Sequence, residues 1–239
     1  LVTIITFILL QSQPGGAARA ALGKDATKEQ LAAFDHENGY DRPIPEQYVT
    51  YLNKIAHGDF GYSYQHNQSV NDLLAARLPR TIFLSLLSTI LALIIAIPLG
   101  VIAATKQYSK TDYVISVLAL AGISLPTFFF ASLLKLVFSV RLGWFDLYGL
   151  TGRNHEQLSA FAKLLDMGHH LVLPIVTLVV ISVGSLMRYH RANMLEVLNA
   201  DYIRTARAKG LPEKKVIYHH AFRNTLIPII TILGSSLPG

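Results

Sequence analysis

The chain contains no cysteine. That removes a disulfide framework, a thiolate metal site and a thiol nucleophile, and it leaves the redox compartment unread. Charge is scarce as well. Asp, Glu, Lys and Arg supply 15 % of the 239 residues, against about 25 % in a typical soluble domain. There is no glycine-rich loop closing on Lys-Ser/Thr, the usual cradle for ATP phosphates, and no Gly-x-Ser-x-Gly nucleophile elbow. The histidine pairs His169-His170 and His219-His220 are adjacent rather than i, i+4. Adjacent helical side chains diverge by about 100°, so one ion is not readily shared and no metal site is expected. Together these absences speak against an enzyme.

What remains is apolar. Hydrophobic residues make up 51 % and mean hydropathy is +0.39. A spanning helix needs roughly 20 mostly apolar residues. Thr81 to Ala104 is such a run, uncharged throughout. Tyr113 to Leu134 is a second, with a continuation past Lys135 to Val140. Leu171 to Met187 is a third, with His169 and His170 at the interface, and Asn224 to Gly239 begins a fourth. Leu1 to Leu10 is about half a span. It reads as the core of a signal peptide, with Ala18-Arg19-Ala20 as cleavage site, or as the C-terminal half of a spanning helix. The lack of a basic n-region and the intervening Pro14-Gly15-Gly16 favour the second reading. Either reading places residue 12 onward outside. Pro98, Pro126, Pro174 and Pro228 lie in or near these runs, where a helix bundle can satisfy the freed carbonyls. The fold expected is all-α, a multi-pass transmembrane bundle.

Orientation follows from where the net charge of +6 sits. Residues 12–80 and 141–170 are nearly balanced. The excess falls on the 105–112 turn, with Lys106 and Lys110 against Asp112, and on 188–223. There Arg188, Arg191, Arg204, Arg207, Lys209, Lys214, Lys215 and Arg223 face Glu196, Asp201 and Glu213. Three spans put both basic segments on one side, and Lys/Arg mark the inside. The basic excess is therefore what a membrane topology requires, and a nucleic-acid partner is not expected. In the 12–80 loop, Tyr48, Tyr51, Leu52 and Ile55 recur at helical spacing after Pro43 and Pro45, as in an amphipathic interfacial helix. Gly58 to Ser63 reads as a turn, and Asp72 to Leu78 as a second short helix ended by Pro79. Trp144, Phe145 and Tyr148 suit an outer aromatic belt, with Lys135 snorkelling towards it.

The 188–223 segment is the informative one. Leu195, Leu198, Tyr202 and Ala206 recur at i, i+3, i+7 and i+11 and predict a narrow apolar stripe. Gly210 is placed to stop a helix, and Pro212 with Glu213 to open another. Ala200, Ala206, Ala208 and Gly210 would let another backbone approach. The pattern is that of a docking knob.

The run Asp201-Tyr202-Ile203-Arg204-Thr205-Ala206-Arg207-Ala208-Lys209-Gly210-Leu211 resembles the cytoplasmic EAA-type loop of ABC importer permeases, above all the first permease subunit of dipeptide, oligopeptide and nickel importers. His220, Arg223-Asn224 and Ile227-Pro228 are similar to that subfamily's continuation. So are Asp41-Arg42-Pro43, Gly58-Asp59-Phe60-Gly61-Tyr62-Ser63, Leu78-Pro79-Arg80-Thr81, Ile97-Pro98-Leu99-Gly100 and Ser124-Leu125-Pro126 elsewhere. Arg204-Thr205-Ala206 stands where the general motif has Glu-Ala-Ala.

The resemblance implies one permease domain over 1–239 of a longer six-span protein in the cytoplasmic membrane. Its parts would be a partial first helix (1–11), an outer loop (12–80), three spans (81–187), a coupling loop (188–223) and a partial span (224–239). It implies a second homologous permease, two cytoplasmic ATPases holding ATP and Mg, an extracytoplasmic substrate-binding protein and membrane lipid as partners. This chain itself would hold no cofactor. The coupling residues would be Leu198, Asp201, Tyr202, Arg204, Thr205, Ala206, Arg207, Ala208, Lys209, Gly210 and Leu211. Leu198, Tyr202 and Ala206 would form the edge buried in the ATPase, and the basic residues would meet acidic groups or headgroups. Polar residues in the spans are candidates for the pathway: Ser116, Ser124, Pro126, Thr127 and Ser132 in the second, Ser182 and Ser185 in the third. A secondary transporter is a rival, although no acidic residue lies inside a complete apolar run. A non-transporting anchor is another.

Overall fold

The computed structural model describes residues 2–11, 16–23 and 25–236. Pro14, Gly15 and the last three residues of the fourth apolar run lie outside them. The described chain is helical apart from one two-stranded hairpin, and it falls into two compact units, residues 1–82 and 83–239.

The first unit holds α1 (Val2–Gln11), α2 (Gly16–Leu22), α3 (Lys28–Asn38) and α4 (Ile44–Ala56). Thr27 and Gln30 close a reciprocal capping box on α3, which satisfies two donors that a helix start leaves open. α4 begins at Pro43-Ile44-Pro45, where a missing N–H costs nothing. Its Tyr48 and Tyr51 rings meet Phe7 of α1 at 5.3 and 5.5 Å, while Tyr51 and Leu52 stay exposed. Gly58 and Gly61 take positive φ in the expected turn. The chain then forms β1 (Tyr62–Ser63), antiparallel to β2 (Gln68–Ser69), with Tyr62 opposite Ser69.

From Val70 the helix α5 runs unbroken to Thr105, 36 residues. The short helix expected to end at Pro79 is thus the first turns of one long helix. Pro79 and Pro98 are both carried inside it. Each proline removes one ladder bond and leaves the rest of a long apolar helix intact.

The second unit contains α6 (Lys110–Ser124), α7 (Thr127–Leu134) and its π-helical continuation Lys135–Arg141. The expected single span from Tyr113 is instead a pair bent by 97°. The break falls at Leu125, which is extended (φ −84°, ψ 125°), a conformation that a following proline favours. Pro126 cannot donate, and its carbonyl instead accepts from Phe130 N–H to start α7.

α8 (Ala160–Leu198) is 39 residues and carries Pro174 inside it. It is longer than the expected third span at both ends. The basic stretch therefore opens as helix, with Arg188 and Arg191 on α8 rather than in a loop. Among the described residues, α5 and α8 are long and apolar enough to cross a membrane, and α6 with α7 makes a third span if the bent pair crosses as one. After α8 come α9 (Asp201–Ala208), α10 (Glu213–Lys215), a π-helical stretch Val216–Ala221 and α11 (Phe222–Ser236).

Small residues set how closely these helices approach. A Cβ at Gly184 of α8 would lie 2.6 Å from the Ala119 carbonyl of α6 and 2.8 Å from Ile123. One at Gly100 of α5 would lie 2.8 Å from the His190 ring of α8. In lipid, helices associate by such packing rather than by excluding water. Ala96 and Ala103 of α5, Ala119 of α6 and Met187 of α8 are buried together in one cluster. Gly184→Val is expected to force α6 and α8 apart at a cost of about 1–3 kcal/mol, seen as a lower thermal midpoint in detergent. Gly168→Ala, where the new methyl meets nothing within 4 Å, is expected to leave that midpoint unchanged.

Candidate functional site

Two neighbouring features of the second unit carry the functional argument: the α9–α10 elbow, and a cleft between α6, α8 and α11.

The elbow starts where α8 ends. Leu198 is its last residue, and Asn199 donates its side-chain amide back to the Leu195 carbonyl. α9 then turns off as a separate helix. At its far end Gly210, at φ +74°, donates to the Arg207 carbonyl at 2.9 Å, and Leu211 N–H to the Ala206 carbonyl at 3.4 Å. These are the two bonds of a Schellman stop, and φ > 0 explains the glycine. Pro212 precedes α10, whose first turn carries Glu213. The expected helix, glycine turn and second helix are all present.

The expected stripe is not. Because the chain breaks at Asn199-Ala200, Leu195 and Leu198 belong to α8, out of phase with α9. Tyr202 is 49 % exposed, whereas Ile203 is fully buried. Ile203 and Ala206 face inward, into a cluster with Val101 and Ala104 of α5, Met194 of α8, and Val216 and Ala221 of the π stretch. Leu198 and Leu211 pack against its edge. Burying a side chain such as Ile203 is worth about 1.5–3 kcal/mol. Ala206 is thus committed to the chain's own core rather than to a partner. The face left open carries Asp201, Tyr202, Arg204, Thr205, Arg207, Ala208, Lys209 and Gly210.

The basic residues divide in the same way. Arg204 lies 3.5 Å from Asp201 on the exposed face. Arg207, expected to meet outside acidic groups, is engaged internally. Its guanidinium donates to both carboxylate oxygens of Glu213, at 2.8 and 3.2 Å, and lies 3.5 Å from the Leu198 carbonyl. One side chain thereby ties the end of α8, α9 and α10 together. Arg207 is raised and Glu213 lowered from their ordinary pKa values, each first through this hydrogen bonding.

The cleft has a volume of about 650 Å³ and is lined by Ser116, Ser185, Leu186, Arg188, Tyr189, Arg191 and Ile232. Two of the expected pathway residues, Ser116 and Ser185, meet here. Ser182 is half-buried on α8. Ser124 and Ser132 donate to the Leu120 and Phe128 carbonyls of their own helices. Pro126 and Thr127 are exposed at the α6–α7 break. Beyond α7, Lys135 holds its ammonium 4.6 Å over the Tyr148 ring.

Arg191 on the cleft wall belongs to an ion pair with Asp112 that the charge count did not single out. Arg191 Nε and Nη2 each donate to the Asp112 carboxylate at 2.8 Å. The carboxylate also accepts from Tyr108 N–H at 3.0 Å and Ser116 Oγ at 3.2 Å. The Asp112 side chain is 6 % exposed and that of Arg191 25 %. A signal existed: the two segments carrying these opposite charges are the ones placed on the same side by the charge count. Ile203 and Glu213 were also missed as anchors, since the continuous-stripe reading assigned the wrong phase to α9.

Two continuous apolar helices, a broken third and a rigid elbow packed onto their ends define a multi-pass membrane transport component. The chain belongs to the ABC-importer permeases: residues 96–239 match the family of binding-protein-dependent transport system inner membrane components. Residues 1–85 match the N-terminal region of such membrane components. Similar proteins include the oligopeptide transport system permease protein AppB of Bacillus subtilis, 41 % identical over 99 % of this chain and 74 % of that protein. The oligopeptide permease protein OppB of Salmonella typhimurium is 35 % identical over 98 % of this chain and 72 % of its own length. The dipeptide permease protein DppB of Alkalihalophilus pseudofirmus is 34 % identical over 97 % and 74 %. The chain is therefore the non-catalytic membrane component of its transporter, in the inner membrane, with ATP hydrolysis in separate subunits.

Two outcomes test the site's geometry. Asp112→Asn leaves the Arg191 guanidinium without its charge partner and is expected to lower stability. The loss should be somewhat less than the ~3–5 kcal/mol of a fully buried pair; pairing the change with Arg191→Met should recover part of it in the same thermal melt. For Glu213, a lowered carboxyl stabilises the fold above its unfolded pKa and loses that contribution as pH falls through the folded value. Because the pair is about half exposed, the contribution lies within about 0–1 kcal/mol. Amide exchange over residues 208–213, corrected for intrinsic rate, is expected to quicken below about pH 4. Glu213→Gln should abolish that acid step.

Proposed function

We propose that this chain forms half of a translocation pathway for di- or oligopeptides and is driven by an ATPase subunit docked on the open face of α9. The substrate class rests on the similar proteins named above, which are oligopeptide and dipeptide permeases. The coupling reading rests on one observation. α9 presents Tyr202, Arg204, Thr205, Ala208 and Lys209 outward while Ile203 and Ala206 are packed into a core shared with α5 and α8.

That arrangement can transmit motion. A displacement imposed on the outer face is carried through Ile203 onto Val101, Ala104 and Met194, because close-packed side chains shift together. The Arg207–Glu213 clip and the Schellman stop keep the elbow from flexing instead. The drive must come from a difference in how the ATPase holds α9 with and without ATP, since equal contacts in both states would shift nothing. The orientation is taken from the charge count, which puts the 105–112 turn and the 188–223 segment in the cytoplasm and 141–170 outside. A second permease would complete the pathway, with Ser116 and Ser185 on this chain's wall. A substrate-binding protein on the outer side would deliver the peptide.

Ala208→Trp combined with Tyr202→Ala changes only exposed atoms. In the reconstituted full transporter the double variant is expected to keep its thermal midpoint while ATP-driven peptide uptake falls about tenfold, the loss of ~1.4 kcal/mol of docking. Wild-type uptake in that variant would place the ATPase contact elsewhere.

A further inference from the structure

At the N-terminal end of α8 two adjacent histidines and a loop aspartate converge. One ligand atom from each of Asp146, His169 and His170 lies within 4.8 Å of the other two. Neighbouring helical histidines diverge, and here a third group from outside the helix lies within reach of both. The 142–148 loop lies against α8, stacking Phe145 on the His169 ring at 4.8 Å.

The hydrogen-bonding states of the two rings follow from their neighbours. His170 Nδ1 lies 2.8 Å from the Asp166 carbonyl. A carbonyl only accepts, so Nδ1 carries a hydrogen, and Nε2 is the nitrogen that faces Asp146. That Nε2 lies 3.1 Å from Asp146 Oδ2, and the His170 side chain is 2 % exposed. These two ligand atoms stand side by side, one on a buried side chain and one on a side chain that is 61 % exposed, and a cation between them would satisfy both. His169 Nε2 likewise lies 2.8 Å from the Trp144 carbonyl, which fixes it as a donor and leaves Nδ1 as that ring's lone pair. Metal-binding histidines are held in this way, one nitrogen donating to a carbonyl or carboxylate and the other on the metal. Ligands at about 2.0–2.1 Å in a tetrahedral zinc site stand roughly 3.3 Å apart, close to the His170–Asp146 separation. Asp166 adds support from behind. Its carboxylate accepts from Gly152 N–H and contacts His155 at 2.6 Å, fixing the far side of the loop to the same turn of α8.

We propose that Asp146, His169 and His170 bind a resident divalent transition metal of the zinc class, through two imidazoles and one carboxylate, and that the ion staples the 142–148 loop to α8. Two nitrogens and one oxygen suit Zn²⁺ rather than Ca²⁺ or Mg²⁺, which take oxygen ligands. Three protein ligands leave a fourth position for water.

The test uses the full-length permease in its assembled transporter, stripped with a chelator and titrated with Zn²⁺. One ion per permease is expected. His170→Gln, His169→Gln and Asp146→Asn should each weaken binding at least tenfold, while His36→Gln, an exposed histidine elsewhere, should not. Co²⁺ in place of Zn²⁺ is expected to give the visible bands of a tetrahedral site, and those bands should vanish in His170→Gln. Metal-free thermal midpoints check that the variants fold. Zinc binding unaffected by the three substitutions, or none at all, would reduce the cluster to a protonated His170 paired with Asp146 and overturn the proposal. Release of the ion on ATP turnover would mark it as cargo and would equally overturn a resident staple.

Discussion

The arrangement of the second unit hangs on one charged contact. Asp112 sits at the first turn of α6 and Arg191 near the end of α8, and their bidentate pair fixes the axial register of two helices that otherwise meet through methyl and methylene groups. Apolar faces tolerate sliding, because one leucine contact resembles the next. A guanidinium on a carboxylate does not, since its two hydrogen bonds are made in one position only. In that register Gly184 falls opposite the Ala119 carbonyl, where a Cβ would lie 2.6 Å away. The cleft beside the pair takes its shape from the same constraint.

Much of this was legible in the chain as written. The apolar runs, the glycine stop at Gly210, the helix start after Pro43 and the uneven distribution of basic residues each rest on local chemistry. What escaped was phase and continuity. Pro79 and Pro126 are the same residue type in similar surroundings, yet α5 passes through one and the other turns the chain by 97°. The difference is decided by whether the preceding residue is held helical by its neighbours, and local sequence does not contain that. Similarly, Tyr202 and Ile203 differ by one position, and either could have been the buried one. The break at Asn199-Ala200, which resets the helix, chose Ile203. Among the proposed pathway residues, serine alone could not say where each hydroxyl is engaged. Ser124 and Ser132 satisfy their own helix carbonyls and Ser116 donates to Asp112, while Ser116 and Ser185 both line the cleft.

The elbow shows how a small element can be both surface and core. Eight residues of α9 would be marginal alone. Two inward side chains, a glycine stop and one arginine clip make it a rigid extension of α5 and α8. Rigidity is what distinguishes a lever from a loop. Under the coupling proposed above, a flexible connection would absorb a push at Tyr202, whereas a packed one would pass it on to the ends of the long helices.

The π-helical stretch Val216–Ala221 joins that elbow to α11. A π stretch holds one more residue per hydrogen-bonded ring than an α-helix, and such stretches are frequent at functional sites. If the extra residue moved along the chain, every side chain it passed would rotate by about 100° while the helix kept its hydrogen bonds. A translation of α9 could then emerge in α11 as a twist. Under the coupling proposed above, the joint between the elbow and the membrane helix would act as a gear, turning a push on α9 into a new face of α11.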